Sequence, residues 1–532
     1  MRSRLFFTFI FLSTVLILSC GTDAGGDDSD PDLLEFELAP NGITVICDHA
    51  EPGDLGVADG VQYIAVNRRW LDVQMNESSD LSRLCTSLVT DMSNLFERFR
   101  GNNDPIDSWD VSNVTDMSGM FKGARNFNQP IGSWDVSNVK NMSDMFYDTP
   151  AFNQPIGNWD MSNVENMSRM FFGFSTRSYS FNQPIADWDV SSVTDMSEMF
   201  NGSSFNQPIG DWDVRSVRDM NRMFSGSQFN QPIGEWDVSN VTDMRSMFWN
   251  SVFNQPIGEW DVSSVKNMNG MFSLAAFNQP IGEWNVSKLT DMGAMFSRSS
   301  FNQPIGDWDV GSVTDMNRMF SSTQFDHPVG NWNVGNVTTM SGMFGGSHFN
   351  QPIGDWDVSS VTDMGSMFSS SQFNQPIGDW DVSSVANMGI MFTSSQFNQP
   401  IGNWDVSSVT SMYVMFQRAQ FNQPIGDWDV SSVTSMYGMF YENRVFNQPL
   451  GNWDVSSVTT MYHMFWHSDF HQPIGEWDVS NVTDMRGMFR DTRFNYNISG
   501  WCVERIESEP ENFSHNSPLA PRNKPVWGTC PD

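Results

Sequence analysis

Lysine and arginine are scarce in this chain, 28 against 63 aspartates and glutamates, which leaves a formal net charge of -35 over 532 residues. Nucleic-acid binding requires Lys and Arg to neutralise phosphates, so nucleic acid is excluded as a partner. Cysteine is missing from the whole stretch between Cys85 and Cys502. No CxxC spacing occurs, so no cysteine metal site is expected. Long apolar runs are missing as well: the only one, Leu5 to Leu18, is too short to span a bilayer comfortably. A single constellation of nucleophile, base and stabilising donors, which an active site needs, is not found either. The expectation is a protein without catalysis and without a cofactor.

The chain consists mainly of one unit, FNQPIGDWDVSSVTDMGSMFSSSQ at Phe349 to Gln372, repeated with small changes. Tryptophans keep the register from Trp109 to Trp501, at steps of 24 or 25 residues apart from one of 29. A fixed period in this range signals a repeat architecture whose units stack because none buries its own apolar face. The reading is a solenoid over 97–501, of about seventeen repeats. With coils about 4.8 Å apart its length would be about 80 Å.

Within a repeat, Ile353, Trp356 and Val358 suggest a short strand, kept short by Pro352 and Gly354. Val361, Met364, Met367 and Phe368 have helical spacing. The residue before the first Met is always Asp, Asn, Ser or Thr, the helix-capping set. Each coil is therefore expected to pair a parallel strand with a helical or 3-10 turn at MSxMF, a second strand over Val-Thr-Asp-Met being the competing reading. Core positions barely change between repeats. The residue between the Mets and the three or four after MF change freely, so they define one variable stripe.

The ends differ from the middle. Residues 1–19 have a basic start and an apolar core, as a signal peptide does, and residues 20–32 form an acidic, Gly-rich flexible tether. Residues 33–96 form an N-terminal cap, with strands in ITVIC and VQYIAV separated by the turn-like HAEPGDLGVADG. VTDMSNLF at its end is already half a repeat. Residues 502–532 form the other cap. Four cysteines allow three pairings, and membership of the same terminal segment favours Cys47–Cys85 and Cys502–Cys530.

Two resemblances sharpen this. Ile17-Leu18-Ser19-Cys20 resembles the lipobox of bacterial lipoproteins, which implies a diacylated Cys20 and a membrane anchor. Gly21 after it would permit passage to the outer membrane of a double-membraned bacterium. Repeats of the form MFxxxxxFNQPIGxWDVSxVTDM, with the closing ISGWCVERIESEPENFS and KPVWGTCP, resemble the BspA-like leucine-rich-repeat surface proteins and the lipoprotein-associated repeat of unknown function. That resemblance implies a leucine-rich-repeat-like solenoid at the cell surface, with adhesion in some members, and brings no catalytic residues.

Candidate sites follow from the columns that stacking creates. The Asp after each Trp, including Asp357, Asp381, Asp405 and Asp429, would form a ladder. At about 4.8 Å such charges repel by about 0.9 kcal/mol in water. Calcium could compensate them, but Asn285 and Asn333 at the same position favour local backbone hydrogen bonding. The MxxM pairs read as core packing rather than a copper array, and the interrupted Thr column does not read as an ice-binding ladder. His463, His467 and His471 read as variable surface residues in different parts of the coil. Trp249, Tyr413, Tyr437, Tyr441, Tyr462 and Trp466 lie outside the repeated pattern, near the variable stripe. They are the candidates for binding a protein or glycan by a monomeric surface molecule. A purely structural envelope role and a polysaccharide-active enzyme are the alternatives.

Overall fold

The computed structural model describes residues 33–76, 80–97, 103–174 and 179–531. The signal peptide, Cys20 and the tether expected before residue 33 lie outside these. Among the described residues no helix is long and apolar enough to cross a membrane.

The N-terminal cap has six strands, β1 Leu34–Glu35, β2 Glu37–Leu38, β3 Val45–Ile46, β4 Leu55–Ala58, β5 Val61–Ala65 and β6 Leu84–Cys85, with one helix, α1 Arg68–Asn76. One sheet runs β1-β4-β5-β6 and a second pairs β2 with β3. The strands expected in ITVIC and VQYIAV are β3 and β5. The stretch between them is not all turn: β4 lies within it, antiparallel to β5. Asp59 and Gly60 join the two with φ of 46° and 73°, the left-handed pair whose twist matches that of a hairpin. Helix α1 had no sequence expectation. Its Leu71 is buried, and Arg68 donates to the carbonyls of Asp91 and Ser93 at the first repeat. Cys47 is bonded to Cys85, and Cys502 to Cys530.

Beyond the cap, parallel bridges run unbroken from Asp91 to Asp484, one residue per repeat. The bridging residue is the Asp, Asn, Ser or Thr before the first Met. The competing strand over Val-Thr-Asp-Met is thus present, reduced to one pairing residue. The expected helical turn at MSxMF is not formed. The second residue after the first Met is left-handed in successive repeats (Ser366 φ 61°, Ile390 65°, Val414 45°), and so is the residue four further on (Ser370 55°, Ser394 56°, Arg418 53°). A right-handed helix cannot pass through such residues.

The alternation instead aims every second peptide along the stack. The N–H groups of Met364, Ser366, Phe368 and Ser370 donate to the carbonyls of Asn387, Gly389, Met391 and Thr393 in the next repeat, at 2.7 to 3.0 Å. The N–H groups of Met367 and Ser369 close local turns onto Met364 and Ser366. Backbone polarity is therefore satisfied without an extended strand. The expected strand over Ile353–Val358 is also absent. Trp356 N–H bonds back to Ile353 O, closing a turn. Pro352 has no N–H to give. A Cβ on Gly354 would lie 3.0 Å from the carbonyl oxygen of Pro376, so adjacent repeats pack backbone to side-chain-free backbone there.

The spaces between these turns hold the core. Ile353, Trp356, Val358, Val361, Met364, Met367 and Phe368 are all at most 3% exposed. Phe344, Phe368 and Phe392 stack at 6.0 and 5.8 Å between ring centroids, and Trp332 on Trp356 at 6.5 Å. Each buried indole needs an acceptor; Trp356 Nε1 donates to Val329 O and Trp380 Nε1 to Ile353 O, both at 3.1 Å and both in the preceding repeat. A third column is polar: Asn374 N–H bonds Asn350 Oδ1, and Asn398 N–H bonds Asn374 Oδ1, each at 2.9 Å.

At the C-terminal end the pattern is imitated rather than stopped. Gly487, Phe489 and Asp491 donate to the carbonyls of Glu511, Phe513 and His515. Asn512 and Asn516 are left-handed at the same four-residue spacing, φ 55° and 56°. ENFSHN thus serves as a final turn row, with asparagine, which tolerates the left-handed conformation better than most non-glycine residues, at both left-handed positions.

Candidate functional site

The variable stripe coincides with this row of turns. Its four columns are the two residues after the first Met and the two after the Phe. The second and fourth are the left-handed positions, so their side chains leave a backbone held in place by the neighbouring repeats. Side chains here vary without disturbing a single ladder hydrogen bond.

Between Asn317 and Ser370 the row is, apart from Asn317 and Arg318, serine and glycine. Arg318, Ser321, Ser322, Ser341, Gly342 and Gly345 help to line a shallow groove. Between Tyr413 and Asp491 it is aromatic and charged. Tyr437 stacks on Tyr462 at 5.1 Å, and the Arg486 guanidinium lies 5.0 Å from the other ring, Tyr462's own. Tyr441 meets Trp466 edge to face at 5.2 Å, and His463 packs 3.6 Å from Tyr462 and 4.1 Å from Trp466. Arg490 lies 4.5 Å from the Trp466 ring centroid, and Trp466 Nε1 donates to Asp491 at 3.2 Å.

Each arginine that stands over a ring of this patch has a carboxylate: Arg418 with Glu442 at 2.7 Å, Arg486 with Asp484 at 2.7 Å and Arg490 with Asp491 at 3.2 Å. The Arg418 hydrogen bond holds Glu442 below the usual carboxylate range. Burial pushes Asp484 up, but hydrogen bonds from the Arg486 side chain and backbone more than offset it, so its carboxyl also sits low. Burial lowers His463 to about 4, helped by Arg490, so the imidazole is neutral at pH 7. The patch is a platform of packed rings whose overlying guanidinium groups are paired with carboxylates.

The structure places the sequence candidates unequally. Tyr437, Tyr441 and Trp466 come together with Tyr462. Tyr413, one repeat earlier, occupies the same column as Tyr437 and Tyr462 but lies across Gly389, where a Cβ would meet its Cε1 at 2.3 Å. Trp249 is far from them along the chain of repeats and is 40% exposed. The histidines do not all fall in different parts of the coil: His463 and His467 share the turn row, His467 Nε2 lying 2.7 Å from Asp491. His471 sits in the polar column, its N–H bonded to Asn447 Oδ1.

A second aromatic group was missed. Tyr147 stacks on Phe172 at 4.6 Å, Phe174 packs edge-on to both, and Lys122 Nζ lies 4.9 Å from the Tyr147 ring centroid. The signal was present in MFY and MFF, which put aromatics into the first position after MF.

The Asp ladder is solvated and locally engaged. Asp357 Oδ1 accepts from Ser359 N–H at 3.1 Å and Ser359 Oγ at 2.6 Å, and Asp381, Asp405 and Asp429 repeat this with Ser383, Ser407 and Ser431. The serine hydroxyl holds Asp357 below the usual range. Among the described residues no three His, Cys, Asp or Glu side chains converge so as to hold a metal ion.

Tandem 24-residue repeats with columns of buried aromatics, few helices and one-residue parallel pairings define the class: a repeat protein with a scaffold common to all units and a variable outer row. The chain belongs to the family described as "Mycoplasma protein of unknown function, DUF285", whose pattern is matched at residues 67–178, 173–276, 227–327, 250–347, 321–423 and 418–523. No curated protein matches the chain. Among solved structures it is similar to a chain of the complex of Toll with Spatzle from Drosophila, described as a molecular hub in development and innate immunity. The identity is 9%, over 87% of this chain and 68% of that one, and the TM-score of 0.20 carries no argument.

Proposed function

We propose that this is a leucine-rich-repeat-like solenoid, BspA-like in its work, held at a bacterial surface by lipid on Cys20. It acts without catalysis, as an adhesion or interaction module that binds a protein or glycan through the variable row. One observation carries the reading: the scaffold is the same in every repeat, while side chains change most freely along one row and gather there into aromatic patches. Solvent-exposed aromatics on a rigid frame are a frequent source of binding energy. Many repeated contacts add avidity to weak single ones.

The test compares the full chain with a variant carrying Tyr437→Ser, Tyr441→Ser and Trp466→Ser for binding to extracellular-matrix coats and to cell surfaces. A drop of tenfold or more with an unchanged melting temperature is expected. Equal binding by both proteins would leave only a structural role in the envelope.

A further inference from the structure

Tyr413 and Tyr437 stand in the same column on successive repeats, yet their rings part. Tyr413 lies back over Gly389 in the preceding repeat, which it can do only because Gly389 has no Cβ. Tyr437 stacks instead on Tyr462, in the following repeat. Both rings are exposed, 38% and 42%. Tyr462 is covered on both sides, by Tyr437 and by Arg486. The two tyrosines that flank the gap are therefore the ones with an uncovered face. Val414 and Gly438 follow them in the chain, with Val414 Cγ1 close to the Gly438 backbone. Arg418, Glu442 and Tyr441 stand beside them in the same row, Arg418 lying 5.8 Å from the Tyr441 ring centroid.

From this geometry we infer that the gap between Tyr413 and Tyr437 is a slot for one ring of an uncharged polysaccharide. The inference deepens the binding role proposed above and rests on it. A pyranose offers a flat C–H face to an aromatic ring and hydroxyls at its rim, and here two rings face the gap with a carboxylate, a guanidinium and phenol groups at the edge. Charge decides between glycans. Arg418, Arg486 and Arg490, the arginines that stand over rings of the patch, are each paired with a carboxylate of this chain, so these guanidinium groups are already engaged and not free to neutralise a uronate or sulfate. The net charge of -35 repels such polymers further. Tyr441 and Trp466 stand further along the same row, edge to face, so a linear chain entering the slot meets further ring edges there.

The experiment titrates the full chain with a soluble neutral glucan, a soluble neutral mannan and two anionic polymers, heparin and polygalacturonate, read by tryptophan fluorescence and calorimetry. Binding of a neutral polymer is expected, weakened at least tenfold by Tyr413→Ala and by Tyr437→Ala and unchanged by Trp249→Ala. Gly389→Ala is the sharper variant: it removes no ligand contact, but its methyl drives the Tyr413 ring toward Tyr437 and should weaken binding as much as Tyr413→Ala does. A melting temperature within a degree of the parent's shows that each variant is folded. Preference for heparin or polygalacturonate, or full binding by Gly389→Ala, overturns the slot. So does binding of no glycan while the matrix coats are still held through Tyr441 and Trp466, and that outcome leaves the broader binding role standing. Loss of both would remove the two together.

Discussion

The row from Asn317 to Ser370 and the row from Tyr413 to Asp491 have the same backbone and opposite surfaces. In both, alternate N–H groups donate to the next repeat at nearly equal distances, as Arg318 to Ser341 O and Gly438 to Tyr462 O do, both at 2.8 Å. Both bury the same Trp, Met and Phe columns. Yet one displays mostly serine and glycine, with Asn317 and Arg318, and the other tyrosine, tryptophan, histidine and several arginines. Stability and display are therefore carried by different atoms. The buried columns and ladder hydrogen bonds belong to the scaffold, and the side chains of the turn row belong to whatever the molecule meets. An array coupled mainly between nearest neighbours tolerates such local change.

The largest test of this separation is in the core. Trp356→Ala and Trp453→Ala remove the same buried indole from the two regions and should each cost about 3–5 kcal/mol, measured by denaturant unfolding. A cost several kcal/mol larger at Trp453 would show that the aromatic patch is part of the scaffold after all. The next test is in the backbone. A non-glycine residue in the left-handed region costs about 1–2 kcal/mol, partly offset in glycine by roughly 0.5–1 kcal/mol of lost entropy. Val414, at φ 45°, and Gly342, at φ 66°, occupy the same position of the repeat. Val414→Gly should stabilise by up to about 1 kcal/mol, and Gly342→Val should destabilise by at least that. Opposite signs would mean that side-chain contacts of the row outweigh its backbone.

The smallest expected effect separates the regions by pH. His463 is lowered to about 4 from an ordinary 6.5. As pH falls from 6.5 towards 4, the unfolded chain takes up a proton that the folded histidine refuses, so stability declines through that window. The loss is complete below about 4. Because the imidazole is partly exposed, it should amount to no more than about 1 kcal/mol. Asp484 and Asp491, held below 3.8, contribute stability that is lost only at lower pH still. His463→Gln should flatten the curve between pH 6.5 and 4; an unchanged slope would place the acid sensitivity elsewhere.

Much of this was legible in the chain. The period, the stacking of repeats, the buried columns, the variable positions and the half repeat VTDMSNLF follow from spacing alone. Other features were not, helix α1 and the turn in place of a strand at Ile353–Val358 among them. Helical spacing at Val361, Met364, Met367 and Phe368 is real, but alternating right- and left-handed residues at two to four residue intervals also turn those side chains to one side. Local periodicity cannot distinguish the two. The strand β4 was concealed because Gly53, Asp54, Asp59 and Gly60 made its surroundings look like one long turn. The aromatic groups were visible as exceptions to the pattern, but Tyr147, Phe172 and Phe174 were overlooked because their neighbourhood carries the 29-residue step.

Sequence alone determined that the molecule is an array and which residues are inside it, because a buried column tolerates little change and repeats itself. Tertiary structure decided what each coil's backbone does. Left-handed φ at Ile390 or Val414 is unfavourable for the residue itself and becomes affordable only when the peptides on either side bond to neighbouring repeats. It also decided that Tyr413 and Tyr437 diverge while Tyr437 and Tyr462 stack, since that depends on a glycine one repeat away, at a distance of 24 residues in the chain.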